Sequence, residues 1–70
     1  MILESVYENK NRKAFIYSST YDDTYTVEYM IGGRILNRTH HRALDLAEDL
    51  AEDFVNEAGR DPQLLNEETQ

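Results

Sequence analysis

His40 and His41 are the two histidines of this 70-residue chain, and Asp45 and Asp49 follow His41 at steps of four. If the stretch is helical, His41, Asp45 and Asp49 form one row, and such a row can hold a divalent cation. Adjacent histidines point about 100° apart on a helix, so both imidazoles cannot readily reach one ion. The simpler expectation is a helix start with solvated imidazoles beside Asp45, and no metal or other cofactor.

Other chemistry is equally sparse. Cysteine is absent, which removes thiolate nucleophiles, Cys-ligated zinc and disulfides. No HExxH, GxSxG or glycine-rich phosphate loop occurs. Ser5, Ser18 and Ser19 lie in strand-like segments with no histidine evidently oriented towards them. The helix carboxylates are like-charged and solvated, whereas a general acid needs a buried, tuned carboxyl. A chain of this size also has little room for a ligand-sized cavity. The sequence therefore reads as non-catalytic.

The carboxylates themselves are the more informative feature. Around the near-tandem LAEDLAEDF (Leu46 to Phe54), Leu44, Ala47, Ala51, Phe54, Val55 and Ala58 recur at helical spacing, with Leu46 and Leu50 widening the stripe. Asp45, Glu48, Asp49, Glu52, Asp53 and Glu57 fill the opposite side. This predicts a helix from Thr39, as N-cap, to Gly59 at the C′ position. Net charge is −7, and all of it falls after residue 39, because the acids and bases before that point cancel. Such a surface keeps a small domain soluble. It also suits docking of a basic protein partner through Asp45, Glu48, Asp49, Glu52 and Asp53. Mimicry of DNA is a third reading, set back by the neutrality of residues 1–39.

The elements that must position these residues are mostly strands. Residues 2–8, 13–20, 24–31 and 34–38 carry strand composition, and Tyr25, Val27, Tyr29 and Ile31 alternate strictly. Asn9 to Arg12 and Asp22-Asp23 read as turns, and Gly32-Gly33 predicts a type I′ hairpin. The expected fold is α+β: a single small domain with an antiparallel three- or four-stranded meander packed on one long C-terminal amphipathic helix, ββββα. Residues 1–60 form the domain, and residues 61–70 a short helical turn at Asp61-Pro62, docked by Leu64 and Leu65, or a disordered acidic tail. The expected core is Val27, Tyr29, Ile31, Leu36, Leu44, Ala47, Ala51, Phe54 and Val55.

One helix covers one sheet face, yet apolar strand residues are numerous enough for both. Ile2, Val6, Ile16, Met30 and Ile35 form a second alternating set, expected on the bare face as a self-association surface. A homodimer would also reinforce a small cysteine-free domain. A nucleic-acid site is the alternative, built from Lys10, Arg12, Lys13, Arg34 and Arg38 with tyrosines for base stacking. The acidic total makes nucleic acid the weaker partner. No apolar run approaches membrane-spanning length and no signal peptide is evident, so a cytoplasmic location is expected.

Strands, a hairpin and a helix opening near Thr39 with small alanines towards the sheet resemble the β3α pattern of AP2 and integrase amino-terminal domains, over roughly residues 13–58. That resemblance implies DNA reading by sheet arginines. The matching surface here carries Ile16, Glu28 and Met30 instead, so the activity is not carried over. In size, acidity and polar tail the chain also resembles small accessory proteins of tailed bacteriophages, which implies a host-cytoplasmic interaction role.

Overall fold

The four strand-like segments pair in chain order. In the computed structural model, which describes residues 1–56, they are β1 (Ile2–Asn9), β2 (Arg12–Ser18), β3 (Tyr25–Ile31) and β4 (Arg34–His41), followed by α1 (Leu44–Val55). The sheet is an antiparallel meander in the order β1-β2-β3-β4, and α1 lies on one face, chiefly over β2 and β3. The expected ββββα architecture is therefore present. Glu57, Ala58, the Gly59 cap, the Asp61-Pro62 turn with Leu64 and Leu65, and the tail lie outside the described residues.

Turn chemistry explains the meander. Gly32 and Gly33 have φ of 59° and 82°, the two positive values that a type I′ hairpin demands. Asn11 ties the neighbouring hairpin to this one, its carbonyl accepting from the Gly32 N–H at 2.8 Å. The link between β2 and β3 is longer than a tight turn. The Ser19 N–H donates to the Thr24 carbonyl at 2.9 Å, and the Thr24 hydroxyl donates to Asp22 Oδ1 at 2.7 Å. That hydroxyl, with Ser19, holds the Asp22 carboxyl below its ordinary pKa.

Register then sorts the side chains. Ala14 pairs with Tyr29 and Ile16 with Val27, and all four are buried beneath Ala47, Ala51, Phe54 and Val55 of the helix. The alanines let backbone layers approach, while Ile16, Val27 and Phe54 each contribute roughly 1.5–3 kcal/mol by leaving water. The Phe54 ring meets Tyr29 edge to face at 5.0 Å between centroids. Ile31, Leu36 and Leu44, expected inside, are half-buried and pack against this core from its margin, and Ala14 and Ile16 take central places instead.

The helix start differs from expectation. Thr39 is not an N-cap. Strand β4 continues through His41, and α1 opens after Ala43, which offers no side-chain cap. The reason is that the inward positions of β4 are polar. Thr39 is buried with its hydroxyl 2.9 Å from the Tyr29 hydroxyl, and His41 Nε2 lies 2.7 Å from the same Thr39 Oγ1. Hydrogen bonding thus satisfies a strand that carries no apolar alternation. The row of His41, Asp45 and Asp49 consequently does not form, since the imidazole is on a strand and the carboxylates are on the helix.

Candidate interaction surface

Residues that alternate with the core positions face away from the helix. On β1 they are Leu3, Val6 and Glu8, and on β2 Lys13, Phe15 and Tyr17. On β3 and β4 they are Thr26, Glu28 and Met30, and Ile35, Arg38 and His40. Leu3 and Val6 are 50% and 51% exposed, and the rings of Phe15 and Tyr17 stack 6.4 Å apart. Leu3, Val6, Phe15 and Tyr17 form a contiguous apolar patch over β1 and β2. Met30 adjoins Phe15 diagonally, and Ile35 stands opposite Met30 at the hairpin corner.

Polar residues on this face are paired directly across strands. Lys13 Nζ lies 3.8 Å from Glu8 Oε2, Arg38 Nε donates to Glu28 Oε2 at 2.8 Å, and Thr26 Oγ1 is 2.9 Å from His40 Nδ1. Among the described residues the ionised groups balance, so this face is electrically neutral.

Two of the five residues expected for self-association are elsewhere. Ile16 is completely buried under the helix, because it pairs with Val27 on the covered side. Ile2 falls on the helix side at the sheet end, opposite Ser18, because the β1–β2 pairing skips Glu4 between Leu3 and Ser5. That single extra residue reverses the faces. Val6, Met30 and Ile35 remain on the uncovered face. Leu3, Phe15 and Tyr17 join them: the β2–β3 register places Phe15 and Tyr17 there, and the extra residue Glu4 brings Leu3 to the same face as Val6.

The basic residues are not gathered into one platform. Lys10 sits in the first hairpin turn, whereas Lys13 and Arg38 occupy the uncovered face in ion pairs. Arg34 closes the β3–β4 hairpin, and Arg12 turns to the helix side, donating to the Phe54 carbonyl at 3.2 Å. The strand alternation that places Lys13 outward necessarily places Arg12 inward. A phosphate backbone would find these five charges divided between two faces and a turn.

The acidic residues lie together on the helix. Asp45, Asp49, Glu52 and Asp53 are exposed and Glu48 half-buried. Tyr7 of β1 lies beside them: burial first, then the charges of Glu48, Glu52 and Asp49, raise its phenol above the ordinary pKa. Among the described residues, no three His, Asp or Glu side chains converge as a metal site requires.

The contact of His41 Nε2 with Thr39 Oγ1 at 2.7 Å has the spacing of a base and its nucleophile. Thr39 is only 3% exposed, however, and the Tyr29 hydroxyl occupies its other side. The Thr39 hydroxyl thus stands between the Tyr29 hydroxyl and the His41 imidazole, away from solvent. A shallow concavity of about 400 Å³ at the β3–β4 hairpin is lined by Ile31, Arg34, Ile35 and Leu36. Arg34 is the sole ionisable side chain among them. No helix among the described residues is long and apolar enough to cross a membrane.

This geometry is that of a small α+β domain in which, among the described residues, the helix covers one face of the sheet and the other is open. No protein-family model, curated protein or solved structure matches the chain.

Proposed function

We propose that this is a non-catalytic interaction protein that works as a homodimer, joined through the uncovered sheet face and presenting the acidic helix to a basic protein. The observation that carries the reading is the apolar patch of Leu3, Val6, Phe15 and Tyr17 on a face that α1 leaves open among the described residues. Scattered apolar residues are ordinary on protein surfaces, but a contiguous patch within a neutral rim is the composition of a contact surface. A second layer would also enlarge a core that holds eight buried hydrophobic residues among those described.

The acidic face supports the second half of the reading. Asp45, Asp49, Glu52 and Asp53 are exposed on an element whose other side is committed to the core, so their negative field is open to a basic partner.

Sedimentation equilibrium across protein concentration tests the reading. A monomer–dimer equilibrium that Phe15→Glu shifts to monomer supports it. A strict monomer at millimolar concentration sinks it. For the helix, loss of a basic partner on Glu48→Lys with Glu52→Lys supports docking there, and unchanged binding rejects it.

A further inference from the structure

We infer that two copies of this chain meet sheet face to sheet face about a two-fold axis through the Leu3, Val6, Phe15 and Tyr17 patch, with both α1 helices outermost. The inference rests on the homodimer reading above and deepens it by assigning geometry and valency.

Charge selects the orientation of the second copy. Two chains of net charge −7 repel, and the repulsion is greatest where α1 helices would approach each other. The uncovered face is the neutral one, since Glu8 is matched by Lys13 and Glu28 by Arg38. A second copy seated there keeps the acidic helices as far apart as two copies can place them.

The sheet edges are poorly suited to the alternative, in which β1 or β4 of two copies would pair. Each edge strand has a register break: Glu4 is the extra residue on β1, and Leu36 is the extra residue on β4 between the partners of Tyr29 and Met30. Bulges and charges on edge strands are the ordinary devices against strand addition. An edge-to-edge pairing of β1 with its own copy would also bring Glu4 and Glu8 together with their equivalents, and β1 carries no base.

The area suffices. Four strands about 4.8 Å apart, with eight residues rising about 3.3 Å each, present roughly 500 Å² in plan before side-chain relief is counted. About 500 Å² from each partner is the lower threshold for a specific interface, and side-chain relief adds to the plan area towards the usual value of about 800 Å². Stacked sheets lie about 10 Å apart, so the two helices stand roughly 30 Å apart on opposite poles. The dimer therefore presents two separate acidic docking surfaces, one at each pole.

The test uses the full 70-residue chain. Sedimentation equilibrium gives the mass, and isotope-filtered NOE spectra of mixed labelled and unlabelled protein give the contacts. The expected result is a dimer with intermolecular NOEs from the Phe15 and Tyr17 rings to the methyls of Leu3 and Val6. Val6→Lys, at a half-exposed site that spares the monomer fold, should weaken the dimer by roughly 100-fold or more, because the added ammonium is buried without a partner. Glu48→Lys should leave the dissociation constant within a few-fold. A dimer whose intermolecular NOEs run along the β1 backbone or between α1 helices overturns the geometry and leaves self-association standing. A monomer at millimolar concentration overturns both.

Discussion

The guanidinium of Arg12 lies 4.9 Å from the centre of the Phe54 ring, and its Nη1 donates to the Phe54 carbonyl oxygen at 3.2 Å. Helix α1 has no basic residue in its own last turn. The cation that favours a helix C-terminus therefore comes from β2, across 42 positions of sequence. The same side chain stacks on the ring that closes the core.

Arg12→Ala should consequently lower stability by about 1–2 kcal/mol, as expected for a part-buried charged hydrogen bond combined with a cation–π contact. Arg12→Lys should recover only part of this, since an ammonium cannot lie flat on the ring while it reaches the carbonyl. Urea denaturation monitored by circular dichroism measures both.

Thr39→Val should cost about 1–3 kcal/mol, because it leaves the buried Tyr29 hydroxyl without the partner it has at 2.9 Å. Tyr29→Phe added to Thr39→Val removes the orphaned hydroxyl and leaves only the lost His41 contact, so the double variant should be less destabilised than the two single losses added together. A double-mutant cycle in urea reads the coupling directly.

His41 makes stability depend on pH with a definite sign. Burial, reinforced by the neighbouring His40, holds its imidazole below the ordinary pKa of 6.5. As pH falls through 6.5 the unfolded chain takes up the proton first, so protonation favours unfolding. Stability from this group is complete above pH 6.5, declines between 6.5 and the lower folded-state value, and levels off below it. Melting temperature measured across that window should show the decline, and His41→Gln should flatten it. An unchanged slope in the variant would mean that another group is responsible.

Ala43 occupies the N-cap of α1 with φ −103° and ψ 125° and makes no capping bond. That backbone conformation is the one a serine cap uses. Ala43→Ser should stabilise the domain by about 1 kcal/mol, which raises the melting temperature by about 4–8 °C in a domain of this size. Thermal unfolding of the two proteins settles the matter.

Much of the architecture was legible in the residues. The alternation of Tyr25, Val27, Tyr29 and Ile31 marked β3, the glycine pair marked the β3–β4 turn, and the spacing of Ala47, Ala51, Phe54 and Val55 marked the buried stripe of α1. The second half of β4 was not legible. Asn37, Thr39 and His41 fill its inward positions, and their compatibility with burial depends on partners such as the Tyr29 hydroxyl, which local composition does not reveal. Threonine followed by a carboxylate-rich apolar run has the composition of a helix start. The cap position is instead held by an alanine that no propensity favours.

The type of every element except the second half of β4, the chain order and the confinement of negative charge to the C-terminal half are local properties, so the sequence by itself determined them. The face on which each apolar strand residue lies is a property of pairing, and only the tertiary structure decided it. One unpaired residue, Glu4, separates Ile2 from Val6, and the match of Ile16 with Val27 buries a side chain that strand alternation alone left free to face solvent. Because side-chain direction repeats every two residues, a single-residue change in register moves a whole set of side chains across the sheet. The composition of the uncovered face, and with it the candidate site, was therefore set by register rather than by residue type.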